Sequence, residues 1–150
     1  MAAGGRRLHE PQQEPRVSTA PQLPGRIGWV DLTVNDAPRL RAFYESVAGW
    51  SAHGLSMGEY EDWVMIASDG TPQAGICHAR GANSGLPAQW LVYITVTDLD
   101  ASLAQVTLLG GRLLQGPRKA GTSGRFVVIE DPAGAVCALF EAAVPASSES

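Results

Sequence analysis

A chain of 150 residues with 45% hydrophobic and 17% charged residues has the size and apolar content of one globular unit with a sizeable core. A formal charge of -4 offers no basic footprint for a nucleic-acid backbone, and no apolar run approaches the roughly 20 residues that span a bilayer, so neither nucleic acid nor membrane is an expected partner. Cys77 and Cys137 are too few for a disulfide scaffold, and Arg6-Arg7 is not followed by the apolar segment of an export signal, which makes the cytoplasm the expected setting.

Residues 1–24 are rich in Pro, Gln, Gly, Glu and Arg, with Pro11, Pro15, Pro21 and Pro24 removing backbone donors, and read as a flexible tail. From Gly25 the pattern alternates, with Ile27, Trp29, Asp31 and Thr33 on one row and Val30, Leu32 and Val34 on the other, the period of a strand. Asn35-Asp36 then offers a side-chain cap, Pro38 suits a first helical turn, and Leu40, Phe43, Tyr44 and Val47 recur at helical spacing until Gly49. Three short strands follow at Trp50 to Met57, Tyr60 to Ser68 and Gln73 to Ala79, divided by Gly58-Glu59 and by the turn Asp69-Gly70-Thr71-Pro72. Residues 80–87, RGANSGLP, have no periodicity and form a connector.

The order then repeats. A strand at Trp90 to Thr97 leads into a helix over Asp98 to Leu109 closed by Gly110-Gly111, and strands follow at Arg112 to Gln115, Arg125 to Glu130 and Ala135 to Glu141. WVDLTVND at Trp29 to Asp36 matches LVYITVTD at Leu91 to Asp98 with a shift of 62, and the same shift carries Gly49 to Gly111 and Asp69 to Asp131. An internal duplication explains one register held over most of each copy. The predicted architecture is α+β: two tandem βαβββ modules, residues 25–80 and 88–142, then a frayed end at 143–150.

Two such modules resemble the vicinal-oxygen-chelate superfamily, which includes glyoxalase I, extradiol dioxygenases and bleomycin-resistance proteins. The resemblance rests on Val34-Asn35-Asp36, Arg41-Ala42-Phe43-Tyr44 and Gly49-Trp50 in the first module. In the second it rests on Trp90, Tyr93, Val96, Asp98, Leu109-Gly110-Gly111, Gly124-Arg125-Phe126 and Asp131-Pro132-x-Gly134. It implies that the two modules form curved mixed sheets around a cavity with the helices outside, that alternating positions on the first and last strand of each module face that cavity, and that relatives dimerise, so a homodimer is expected.

Enzymes of that superfamily hold a divalent ion with His, Gln or Glu from four strands. By the resemblance those places fall on Trp29, Ile76, Leu91 and Ala138, none of which can ligate a metal, so neither metal nor other cofactor is expected. A register slip would bring His78 or Gln73 into reach, and one or two ligands do not make a site. Asp31 and His78 are ordinary ligand types but again only two; His53 and Asp62 read as surface residues and His9 as part of the tail.

The residues expected to line a ligand pocket are Trp29, Asp31, Thr33, Trp63, Met65, His78, Leu91, Tyr93, Thr95, Ala138 and Phe140. Flat rings suit stacking on a planar ligand, and core packing is the competing reading for each of them. Asp31 is the sharpest polar candidate, able to pair with a ligand group or, if buried, to serve as an acid or base. Neither Cys falls on the predicted cavity row, and residues 121–125, GTSGR, read equally as a loop at the cavity mouth or as an ordinary turn, without phosphate-binding spacing. The favoured function is metal-free sequestration of an aromatic or planar hydrophobic small molecule, as the likeness to bleomycin-resistance proteins implies. The alternative is a metal-independent isomerase, epimerase or cyclase with Asp31 or His78 as its acid-base group.

Overall fold

The computed structural model describes residues 23–144, so the expectations for the leading tail and for most of the trailing end, which concern residues 1–22 and 145–150, lie outside the described residues. Two βαβββ runs follow one another: β1 (Ile27–Val34), α1 (Ala37–Ala48), β2 (Ser51–Ser56), β3 (Glu61–Ile66) and β4 (Pro72–His78), then β5 (Trp90–Thr95), α2 (Leu99–Leu108), β6 (Arg112–Lys119), β7 (Gly124–Glu130) and β8 (Val136–Ala142). The connector holds one turn of 3-10 helix at Gly81–Asn83.

Both helices begin as their sequences direct. The Asp36 carboxylate accepts from the Arg39 N–H at 3.4 Å and the Asp98 carboxylate from the Ala101 N–H at 3.1 Å, each satisfying a donor that the first helical turn leaves open. Gly49 closes α1 in the left-handed conformation, with φ of 70°, where a side chain would be strained.

The strands form a single eight-stranded sheet in the order β2-β3-β4-β1-β5-β8-β7-β6. β1 lies parallel to β4, β5 lies parallel to β8, and the modules join within the chain through antiparallel pairing of β1 with β5. One face carries the helices. Leu32, Trp63, Met65 and Ile76 pack with Ala37 of α1 on the first module, and Val127, Ile129 and Leu139 pack with Leu99 of α2 on the second. Fully buried side chains such as Met65, Ile76, Leu99 and Val127 contribute roughly 1.5–3 kcal/mol each, which makes this face the main source of stability. Trp90 extends the first cluster: its indole N–H donates to the Tyr44 hydroxyl at 3.2 Å, and its ring meets Trp50 edge-on.

The duplication is less regular than a constant shift of 62. The pairing Tyr93 with Ala138 in the second module corresponds to Asp31 with Gly75 in the first, so β4 maps onto β8 with a shift from 75 to 138, which is 63. A register shift opposite Met65 and Ile66 inserts Gln73 into β4, and a bulge of one residue turns every later side chain to the other face. Ile76, expected at a cavity corner, is therefore core under α1, and Gly75 and Cys77 take the cavity row. β6 also runs four residues past the expected end at Gln115, continuing through a register shift to Lys119.

Candidate functional site

The helix-free face of the sheet curls into a cavity of about 610 Å³ that both modules line, within the range of small-molecule sites. Its floor is the junction of β1 and β5, which presents Trp29, Asp31 and Thr33 beside Tyr93 and Thr95. Residues 53–57 at the β2 edge make one wall, and Arg118 with residues 120–123 around the end of β6 makes the other.

Asp31 is the chemical centre of the floor. The Trp29 indole N–H donates to Asp31 Oδ1 at 2.5 Å, and the Tyr93 hydroxyl is hydrogen-bonded to the same carboxylate. Burial pushes the Asp31 carboxyl up to about 6, the Trp29 and Tyr93 hydrogen bonds pull it back, and the charge of Asp62 adds to the rise. Gly75 makes room for this arrangement, because a Cβ there would run into Asp31 Oδ1. Burial first, then the Asp31 charge and hydrogen bond, drive the Tyr93 hydroxyl far above its ordinary value, so it stays a neutral donor. Burial also pushes the Cys77 thiol well up, with Asp31 and Asp62 adding to it, so Cys77 lines the cavity as a thiol and not as a nucleophilic thiolate.

The other sequence-selected residues divide by face. Trp29, Asp31, Thr33, Tyr93, Thr95 and Phe140 line the cavity. Leu91 and Ala138 lie on the same face but are packed with Val128 beneath Leu86 and Tyr93, shut off from the open space. Trp63 and Met65 belong to the helix-side core, a correction to their expected place that follows from the strand register of β3 against β4. His78 is corrected likewise: its ring lies 5.4 Å from Trp63 and 5.1 Å from Tyr60, with Nδ1 3.1 Å from Asp62 Oδ1, and it does not line the cavity.

Several cavity residues escaped the sequence reading, Asn83, Leu86 and Phe126 among them. Asp62 is buried and accepts from the His78 backbone N–H at 2.9 Å, where a surface carboxylate was expected; His53 and Cys77 also line the recess. Arg118 is another. It lies beyond Gly116-Pro117, a pair that normally ends a strand, and only the pairing of Arg118 with Phe126 across the hairpin shows that β6 continues. Residues 121–123 line the cavity as the expected loop, whereas Arg125 turns away to bridge Asp100 and Glu141 at 3.0 and 3.2 Å.

The arrangement fits no metal of the superfamily's kind. At its four corners stand Trp29, Leu91 and Ala138 with Gly75 in place of Ile76, and among the described residues no group of three His, Cys, Asp or Glu side chains converges on one point. Among the described residues no helix is long and apolar enough to cross a membrane.

Residues 26–139 match the sequence profile of the Glyoxalase/Bleomycin resistance protein/Dioxygenase superfamily. The chain belongs to this superfamily. Among curated relatives, CFP32 of Mycobacterium tuberculosis is 29% identical over 119 residues, covering 79% of this chain and 45% of CFP32. The anthracycline biosynthesis protein DnrV of Streptomyces peucetius is 29% identical over 138 residues, covering 84% of this chain and 50% of DnrV. The chain thus spans about half the length of the curated relatives it matches. Among solved structures, Streptomyces coelicolor methylmalonyl-CoA epimerase in complex with 2-nitronate-propionyl-CoA superposes with a TM-score of 0.54 at 18% identity. The match covers 81% of this chain and all of that one, a likeness of fold. The superfamily's mixed α+β architecture, an open curved sheet with helices on one face, is the one described above.

Proposed function

We propose that this chain is a metal-free small-molecule-binding unit that sequesters a planar, largely apolar compound. The observation that carries the reading is the cavity of about 610 Å³ lined by Trp29, Tyr93, Phe126 and Phe140, with the Asp31 carboxyl at its floor. Aromatic faces stack on flat ligands, and a few converging polar groups fix their orientation. The kinship with bleomycin-resistance proteins and with two Streptomyces proteins named for anthracycline biosynthesis supports a polycyclic ligand. A homodimer in the cytoplasm completes the proposal; the free thiols Cys77 and Cys137 fit a reducing compartment, and Phe43, Val47, Leu108 and Leu109 leave apolar helix surface for a second copy.

A second reading, a metal-independent isomerase, epimerase or cyclase, is favoured by one observation. A carboxyl near 6 that is held by two donors and open to a ligand-sized recess is suited to move a proton at neutral pH. His78, away from the cavity, has no part in it, so the acid-base role falls to Asp31 alone.

Titration with planar polycyclic compounds, an anthracycline aglycone first, tests both. Sequestration predicts quenching of tryptophan fluorescence that disappears in Trp29→Phe, a raised melting temperature and unaltered compound after release. Conversion of the compound, lost in Asp31→Ala with binding retained, transfers the assignment to the enzyme. A panel that moves neither fluorescence nor melting temperature removes the cavity reading.

A further inference from the structure

The two ends of the cavity differ in charge. Asp31 and Asp62 face it from the first module, and Arg118 faces it from the second. The Arg118 guanidinium is already oriented: Nη1 donates to Asn83 Oδ1 at 2.7 Å and to Gln115 Oε1 at 3.4 Å, and its carbon lies 5.3 Å from the centre of the Phe126 ring. Both acceptors are neutral amides. Among the described residues no carboxylate comes within ion-pair distance of Arg118, although Arg41, Arg112 and Arg125 each have one.

Nε and Nη2 of Arg118 make no hydrogen bond to the described residues, and neither is sealed from solvent. That leaves the side-on fork of the guanidinium open, the pair of donors that meets two oxygens at once. Arg118 lines the same recess as Tyr93 and Asp31. A ligand that fills the recess strips water from this cation, and a neutral or cationic ligand would leave it without a counter-charge.

Resting on the cavity reading above, we infer that the ligand carries an anionic oxygen group, a carboxylate or an ionised phenol, on a planar aromatic frame. The Arg118 fork takes that group while the frame lies over Tyr93 and Phe126 toward Asp31. Asn83, in the connector turn, is a positioning residue that holds the fork through Nη1. The Asp31 carboxyl then accepts from a hydroxyl at the far end of the frame, since a second negative group there would be repelled by Asp31 and Asp62. The cavity thereby orients its ligand end to end.

The test compares four anthraquinones by calorimetry on the full chain at pH 8: the 2-carboxylate, the neutral 2-carboxamide, the cationic 2-aminomethyl compound, and 1,2-dihydroxyanthraquinone as the phenol source. The carboxylate or the phenol is expected to bind about tenfold or more tightly than the carboxamide, with the cation weakest. Arg118→Gln should erase the preference and Arg118→Lys keep part of it. Whichever acid binds better identifies the source of the anionic oxygen. Equal affinity of acids and amide, or a preference that survives Arg118→Gln, overturns the inference and leaves the cavity reading standing. Should Arg118→Gln fail to fold, the acid-to-amide ratio of the unaltered protein decides alone. Binding by none of the four removes the cavity reading, and the inference with it.

Discussion

At twofold-related places the two modules solve opposite problems. The second module fills its concave side with Leu91, Val128 and Ala138 under Leu86. The first has Trp29, Val64 and Gly75 at the corresponding positions and keeps the space open for the Asp31 carboxyl, which itself corresponds to Tyr93 and is hydrogen-bonded to it. Duplication supplies a symmetric scaffold, and a site needs asymmetry. One copy closes its hollow for stability; the other gives up apolar contact for a desolvated acid.

This comparison can be broken most forcefully at the closed corner. Leu91→Ala is expected to lower stability by about 2–5 kcal/mol, since a fully enclosed side chain is lost and its neighbours collapse only in part. Trp29→Phe at the related place should cost less, about 1.5–3 kcal/mol, mainly through the hydrogen bond lost to the Asp31 carboxylate, and should also abolish ligand quenching. Denaturant midpoints measure both, and equal losses would mean that the two corners are packed alike.

The next effect has a pH signature. The folded Asp31 carboxyl titrates near 6 against 3.8 as its ordinary value, so between these values the folded state holds the proton more tightly than the unfolded chain. Its contribution to stability is therefore complete below the lower value, falls as pH rises through the window and stays at its minimum above 6. Asp31→Asn removes this cost and should be more stable than the unaltered protein by up to about 3 kcal/mol at pH 8, an upper bound because water in the recess solvates part of the charge. At pH 4 the difference should nearly vanish. Melting curves at the two pH values read it directly, and a difference independent of pH would refute the buried-acid assignment.

The smallest test compares the caps. Asp98 accepts at 3.1 Å and Asp36 at 3.4 Å, so Asp98→Ala should cost about 1 kcal/mol and Asp36→Ala about half of that. Thermal unfolding resolves the difference, and the reverse order would show that the helices differ for reasons other than their caps.

Much of the scaffold was legible in the amino-acid order. The repeat of WVDLTVND as LVYITVTD, the caps at Asp36 and Asp98, and the glycine closing α1 depend on near neighbours, and such local preferences survive folding unchanged. The same alternation placed Trp29, Asp31, Thr33 and Tyr93 on one row. It failed at Ile76, Trp63, Met65 and His78, because the row a strand presents depends on which residue of the next strand it faces. In β4 a single inserted Gln73 reverses that choice for Ile76 and His78 without leaving any trace in periodicity.

By itself the sequence determined the duplicated order of elements, their ends and a carboxylate on an otherwise apolar and hydroxylated row. Only the tertiary structure decided which faces meet. It brings β2 and the end of β6, drawn from different modules, around one recess, and sets Arg118 across from Asp62 with Asp31 on the floor between them. Hydrogen bonding along a chain is a contract among neighbours, whereas curvature and register are settled between strands far apart in sequence, and the cavity exists only where those long-range pairings agree.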